Sequence, residues 1–214
     1  MSSSVKLVCF DLGRVLVRIC DSWAHASEVA KVPVRLSHPL DISVKSRVNE
    51  SVFAHEVGRL DHEPMCRELA KHFNVDAAHV DAIWKAYVID VYAGAAELIE
   101  EVRSAGYKTA CLSNVNPIHW RDVSAGGKAA VPIEKLDYRF GSHLIGHRKP
   151  DPGAYEHVER VTGIPGSQIV FFDDILENVE AARRREWQAE IIARDHQPIR
   201  QVRSHLVRFG VLKD

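Results

Sequence analysis

The sequence predicts an α/β fold, a parallel sheet interrupted by a helical insertion. Three observations carry that expectation. The first is Val5 to Phe10, a short apolar run that ends on Asp11-Leu-Gly13; an apolar run of that length bounded by Asp and Gly reads as a buried strand of a parallel sheet. The second is that the design recurs, with Tyr107 to Leu112 running into Ser113-Asn114 and Gln168 to Phe172 running into Asp173-Asp174. The third is that from about Ile19 to Val91 the pattern changes to helices without strands.

Within that insertion, Ser22 to Lys31 reads as a short helix stopped by Val32-Pro33, and Ser43 to Gly58 as a second with Gly58 at its C-terminus. Asp61 to Phe73 offers an Asp N-cap, Glu63 and an early proline, with Leu60, Met65, Leu69 and Phe73 along one stripe. Ala77 to Val88 places Val80, Ile83, Trp84 and Tyr87 on one face, which reads as core packing. The core resumes near Tyr92. Gly94 to Ala105 is a helix ended by Gly106, and Asn116-Pro117 opens a turn or helix carrying His119 and Trp120. Ser124 to Pro132 is loop-like, and Phe140 to Ile145 reads as a short strand. Pro152 to Thr162 and Leu176 to Arg185 are helical, Gln188 to Ala193 is a strand, and His196 to Phe209 is a closing helix. The expected division is therefore 1–18 with 92–214 as the core and 19–91 as the insertion.

Composition narrows the function classes. The 214 residues are 46% hydrophobic and 27% charged, with a formal net charge of −1, a near-neutral balance that argues against nucleic acid or an acidic membrane as partner. No apolar run approaches the ~18 residues of a membrane span. The first strand begins by Val5, leaving no room for a signal peptide. Four cysteines lack metal spacing, and Cys9 and Cys111 fall inside predicted strands, which fits free thiols in the cytoplasm. Arg183-Arg184-Arg185 sits at a predicted helix C-terminus, where cations are favoured and face solvent.

Ligands of open α/β sheets bind beyond the carboxyl ends of the strands. If the predicted strands lie side by side, Asp11, Ser113, Asp173 and Asp174 converge there with Lys149, which precedes the Pro150-Asp-Pro152 turn. Three carboxylates together imply a hard, oxygen-loving cation, and Mg²⁺ fits. Asn178, four residues after Asp174, is placed to support the acidic loop.

Phe10-Asp-Leu-Gly13, Leu112-Ser-Asn-Val-Asn116, Arg148-Lys-Pro150 and Phe171-Phe-Asp-Asp174 resemble, in order, the four motifs of the haloacid dehalogenase superfamily, whose members are mostly phosphatases. The Asp-Leu-Gly version resembles a sub-branch that includes sugar-phosphate phosphatases. The resemblance spans nearly the whole chain. It implies a three-layer Rossmann-like core with a four-helix cap, Asp11 as nucleophile, Ser113 as phosphate-binding hydroxyl and Lys149 as the motif-three lysine. It implies Mg²⁺ held by Asp11, the Gly13 carbonyl and Asp174, with Asp173 binding directly or through water. Asn114, Gly13 and Arg14 are the expected substrate contacts, the first two through backbone N–H groups near them; Arg14, two residues beyond the metal-binding turn, either reaches an anionic substrate under the cap or faces solvent.

One position departs from the resemblance. Most phosphatases of the superfamily carry an acid/base aspartate two residues after the nucleophile, and here that position is Gly13. Losing such a group costs roughly 10²- to 10⁴-fold in rate. Asp21, His25, His55 and His62 are candidate replacements in the insertion. The expected activity is hydrolysis of a small phosphate ester, with a sugar phosphate favoured because an anomeric hydroxyl leaves easily. The alternatives are a catalytically silent phosphate- or sugar-phosphate-binding protein and, third, a metal-independent 2-haloacid dehalogenase. The expected state is a monomer or homodimer.

Overall fold

The computed structural model describes residues 5–32, 42–194 and 197–213. Its centre is a five-stranded parallel sheet built from β1 (Leu7–Phe10), β4 (Lys108–Ser113), β5 (Tyr138–Gly141), β6 (Ile169–Asp173) and β7 (Gln188–Ile191), in the order β5-β4-β1-β6-β7. A second, antiparallel pair joins β2 (Val17–Ile19) to β3 (Val88–Val91).

β1 shows why the sheet forms. Its side chains alternate between two cores: Val8 and Phe10 pack on one face, Leu7 and Cys9 on the other, and all four are fully buried. A strand covered on both faces is apolar throughout rather than alternating, which is how it appears in the sequence. Burying side chains of this size contributes about 1.5–3 kcal/mol each. The first face is covered by α5 (Ala95–Ser104) and α10 (Pro198–Arg208) through Leu98, Ile99, Val102, Val202 and Leu206. The second is covered by α8 (Pro152–Thr162) and α9 (Leu176–Arg184) through Tyr155, Val158, Val179 and Ala182. The result is the three-layer α/β arrangement expected from the sequence.

Between β2 and β3 lie α1 (Trp23–Val29), α2 (Ile42–Glu56), α3 (His62–Phe73) and α4 (Ala77–Ala86). The predicted stripe of α3 is its buried face, since Met65 and Leu69 are fully buried and pack with Val80 and Trp84 of α4. Trp23 closes this cluster, with its ring 5.1 Å from Phe73 and 5.4 Å from Trp84.

Several boundaries differ from the sequence expectation. The insertion is not free of strands: Val88, placed in a helix by its apolar period, begins β3, which pairs with β2 and frames the insertion. Phe140 to Ile145 is not one strand but the end of β5 followed by a four-residue helix, α7 (Ser142–Ile145), which closes on Gly146 in the left-handed conformation (φ 74). A short apolar run does not by itself separate the two. The closing helix starts at Pro198, whose ring suits a first helical turn. Its expected start at His196 and the expected stop at Pro33 lie outside the described residues. The remaining helix, α6 (Pro117–Val123), follows β4 and is capped by the Asn116 side chain, which accepts from the N–H groups of Ile118 and His119.

Candidate active site

Asp11 is the first residue beyond β1, and its N–H donates to Phe172 O (2.9 Å), which fixes it between two strand ends. The chain then turns tightly, with the N–H groups of Leu16 and Val17 donating to Leu12 O at 2.9 and 2.8 Å. Arg14 takes a left-handed φ of 57 within that turn, a conformation that costs a side-chain-bearing residue about 1–2 kcal/mol. Ser113 ends β4 and Asp173 ends β6, so the carboxyl ends of three adjacent strands supply the polar groups.

Lys149 arrives from the loop before α8. Asn114 clamps its backbone on both sides: the Asn114 amide donates to Lys149 O and the Lys149 N–H donates to Asn114 Oδ1, each at 2.8 Å. The peptide bond to Pro150 is cis. The ammonium is 1% exposed and lies 2.6 Å from Asp173 Oδ2 and 3.0 Å from Asp11 Oδ1. Both Asp173 oxygens are engaged further, by the Asn178 amide (3.0 and 3.1 Å) and by the Ile175 N–H (2.8 Å to Oδ1). Asn178 thus supports the acidic loop as its spacing suggests, and Asp173 is chiefly the holder of Lys149. Asp174 faces the cations Arg194 (2.8 Å) and Arg14 (3.8 Å).

The electrostatics follow from burial. Desolvation pushes Asp11 well above the usual carboxylate range, with Asp173 and Asp174 adding to the push and Lys149 opposing it. Asp174 is raised for the same first reason and by Asp173, against Arg194 and Arg14. Burial alone would lower Lys149, but Asp11 and Asp173 outweigh it and hold the amine above its ordinary value. Oxygens of Asp11, Asp173 and Asp174 lie within 4.8 Å of one another. Asp11 Oδ1, although at ion-pair distance from Lys149, accepts no well-aligned hydrogen bond. A crowded set of hard oxygen donors with one such atom unsatisfied fits a divalent cation of the Mg²⁺ class.

These groups open into a cavity of about 310 Å³ between the strand ends and the helical insertion. Asp11, Gly13, Arg14, Ser113, Asn114, Lys149 and Asp174 all line it. The four acids proposed as substitutes for an aspartate at position 13 do not. The Asp21 side chain is 75% exposed, and His25 is paired with it. His55 is buried with its Nδ1–H donating to Leu60 O (2.8 Å), and His62 pairs with Asp81 at 2.6 Å beside Cys66. Asp21 precedes α1, and the helical faces of the three histidines turn toward neighbouring helices or solvent, which a 3.6-residue period alone does not distinguish.

The cavity instead presents His119 and Glu56. His119 Nε2–H donates to Trp84 O (2.8 Å) and its Nδ1 accepts from the Asn116 amide (2.9 Å), so the ring is held neutral. Burial lowers its pKa to about 4. Glu56 is salt-bridged by Arg148 Nε (3.0 Å), whose guanidinium also covers the Phe53 ring. Trp120 packs edge-on against His143 outside the cavity. The Glu56–Arg148 and Asp174–Arg194 pairings had no signal in the sequence, because the partners lie 92 and 20 residues apart. The arginine run behaves as a helix end: Arg183 caps the carbonyl of Ala189 and Arg185 pairs with Glu156 and Glu159.

The haloacid dehalogenase-like hydrolase family matches residues 5–184, most of the chain. The protein belongs to that family. A phosphatase of Mycobacterium tuberculosis is 32% identical over 125 residues, covering 58% of this chain and 56% of its own length. A sesquiterpene phosphatase of Aspergillus oryzae is 24% identical over 185 residues, covering 86% of this chain and 87% of its own. A third relative, mouse acyl-CoA dehydrogenase family member 10, is matched over 17% of its length, so the chain spans only part of the first relatives it resembles. Among solved structures, a HAD family enzyme of Bacteroides thetaiotaomicron superposes with a TM-score of 0.76 at 20% identity, covering 95% of this chain and 98% of that one. A second structure of the same enzyme, in complex with magnesium and inorganic phosphate, has a TM-score of 0.73 at 20% identity, covering 89% and 96%. The L-2-haloacid dehalogenase of Xanthobacter autotrophicus shares the fold at a TM-score of 0.62 and 20% identity, covering 95% and 83%.

Proposed function

We propose that this family member is a phosphatase that hydrolyses a small phosphate monoester through an aspartyl-phosphate on Asp11. The observation that carries the reading is the buried Asp11–Lys149–Asp173 line, with Ser113 and Asp174 on the same cavity. Family membership and the mycobacterial phosphatase relative support it. In this reading Asp11 attacks phosphorus as the bond to the ester oxygen breaks, and water then attacks phosphorus and frees Asp11 with inorganic phosphate. Splitting one displacement into two in this way is the use of a carboxylate nucleophile. Lys149 and the Ser113 hydroxyl meet charge on the phosphoryl oxygens, the role served by fixed cations and donors in such sites. Asp173 positions Lys149, and Asn114 fixes its backbone.

Mg²⁺ is the proposed cofactor, held by Asp11 and Asp174 with the Gly13 carbonyl beside them, and its chemistry is to neutralise repulsion between two anions. Arg14, near Asp174, is the proposed second contact to an anionic substrate. Residues 19–91 act as the cap over residues 1–18 and 92–214, excluding water from the reaction. No helix among the described residues is long and apolar enough to cross a membrane. A cytoplasmic, monomeric or homodimeric protein without nucleic-acid or membrane partners completes the reading, on composition.

The second reading, a silent phosphate-binding protein, is favoured by Gly13 and by the fact that none of the four expected replacement acids lines the cavity. Phosphate release from a panel of monoesters with Mg²⁺ or chelator, with Asp11→Asn as control, decides between them. Metal-dependent release lost in the variant supports the phosphatase. Tight binding without release supports the silent protein, and release of halide from an added 2-haloacid, indifferent to chelator, would support a dehalogenase instead.

A further inference from the structure

The wall opposite Asp11 differs from the one that holds the phosphate. It is formed by Ile19, Trp23, Val52, Trp84, Tyr87 and Val88. Its aromatic rings are arranged as one surface: Trp23 lies 5.4 Å from Trp84 and 6.5 Å from Tyr87, and both Trp84 and Tyr87 stack on His119, at 5.0 and 6.0 Å. Most polar groups that share this wall already have partners; the buried donors left without one are Trp84 Nε1–H and Arg14 Nε–H. His119 is bonded at both ring nitrogens, and Glu56 is paired with Arg148. Arg14 donates to Cys20 O (2.9 Å) and faces Asp21 and Asp174. Asn49 adds one amide.

From this division we infer that the leaving group is apolar, an aromatic or branched hydrocarbon alcohol, and not a sugar. The inference rests on the reading of Asp11 as the phosphate end of the cavity. A sugar carries several hydroxyls, and each one buried without a partner costs about 1–3 kcal/mol. Against them the wall sets only the Trp84 Nε1–H, the Arg14 Nε–H and the Asn49 amide, fewer groups than a sugar's hydroxyls need. A hydrocarbon of the same size instead gains by covering the partly exposed Trp23, Tyr87 and Val52, at about 25 cal/mol per Å² removed from water. A volume of about 310 Å³ sits at the small end of the range of ligand pockets, which suits one ring or one short branched chain beyond the phosphate. The sugar-phosphate expectation drawn from the Asp-Leu-Gly motif is replaced on this ground, because the motif reports the phosphate end and says nothing of the opposite wall.

The test compares esters whose alcohols are similar leaving groups, so that the pocket and not the chemistry is read. Benzyl phosphate and a short branched alkenyl phosphate are measured against glucose 6-phosphate and glycerol phosphate, with Mg²⁺. The expected result is a kcat/KM at least about tenfold higher for the apolar pair, the scale on which apolar pockets discriminate. Equal or better hydrolysis of the sugar ester overturns the inference while leaving the phosphatase reading intact. The non-hydrolysable phosphonates of benzyl alcohol and glucose are compared by calorimetry in parallel. If no ester turns over but the benzyl phosphonate binds roughly tenfold tighter, the phosphatase reading fails and the inference stands. If neither measurement prefers the apolar ligand, it falls. Val52→Asn is expected to reduce the apolar-to-sugar ratio several-fold, with Val52→Ile preserving it. A ratio unmoved by Val52→Asn would remove the insertion wall from the argument.

Discussion

The two ends of the cavity are built on opposite rules. At the strand ends, Asp11, Asp173, Asp174 and Lys149 are buried together, and their geometry is set by hydrogen bonds and charge. At the insertion, Trp23, Trp84 and Tyr87 are packed by contact, with His119 bonded to Trp84 O and Glu56 paired with Arg148 beside them. The first end is costly to assemble and tolerates almost no substitution, because each charge depends on the others. The second gains by burial and can be reshaped one side chain at a time. In the proposed function the contrast separates the chemistry a phosphate requires from the selection of what is attached to it.

The largest effect is expected at Asp11. Asp11→Asn preserves volume and leaves Lys149 its 2.6 Å bond to Asp173, so the fold is retained while the proposed nucleophile is lost. Turnover is expected to fall by about 10⁴-fold or more, the scale of removing a covalent nucleophile. Phosphate release near the wild-type rate would break the assignment of this end as the reacting one.

Lys149→Met tests the interdependence directly. It leaves the buried Asp173 and Asp11 without their shared cation, and breaking a buried pair in this way costs about 3–5 kcal/mol. For a chain of this size that is a fall in Tm of roughly 6–20 °C, measured by thermal denaturation alongside loss of activity. An unchanged Tm would mean that the charges are not mutually dependent. Lys149→Arg is not expected to rescue, since a planar fork does not fit a site shaped for an ammonium held 1% exposed between two carboxylates.

At the hinge between the ends, His119 makes stability depend on pH. Burial lowers its pKa to about 4 in the folded protein, against about 6.5 in an unfolded chain. Between those values the unfolded state binds the extra proton, so stability is full above pH 6.5 and falls as pH drops toward 4. The loss is about 3 kcal/mol at the acid end, from about 1.4 kcal/mol per unit. Asp11 and Asp174, raised rather than lowered, act in the opposite direction over the acid range. The measurement is therefore a difference: the Tm of wild type minus that of His119→Gln, followed from pH 7.5 to 4.5. The gap is expected to narrow as pH falls, and a constant gap would show that His119 titrates freely.

This unevenness explains what was legible in the sequence. The strands of the sheet and the residues of the charged end could be read because each carries a local sign, an apolar run ending on Asp11, Ser113 or Asp173. Lys149 was legible through its proline-rich turn, and α8 through Asp151, Pro152 and Gly163, which cap and stop it. β3 was not, since Val88 continues the apolar period of α4 and only pairing with β2 makes it a strand. The apolar wall was legible as residues but not as a surface: Trp84 and Tyr87 read as core, and they are both core and wall. Glu56–Arg148 and Arg194–Asp174 are pairs made by the fold, with no local pattern to announce them.

Gly13 lies where the two ends meet, and it offers the smallest and most informative change. Its backbone is not in the left-handed region, and a Cβ there would come 3.1 Å from Ile19 Cδ1, the far end of a flexible side chain. A small shift of Ile19 accommodates it, at about 0.5–1.5 kcal/mol if the rotamer is strained. Gly13→Asp is therefore expected to fold and to set a carboxyl beside Asp11 on the cavity wall. If the protein is an active phosphatase limited by an unassisted leaving oxygen, the variant gains rate, by up to about 10²-fold, on esters of poor leaving groups and little on acyl phosphates. The gain is read as the slope of kcat against leaving-group acidity, which flattens when an acid is present. An equal change on every ester would show instead that the new carboxylate acts on the phosphate end, by repelling the substrate or drawing the cation, and would move the missing acid out of the account of this site.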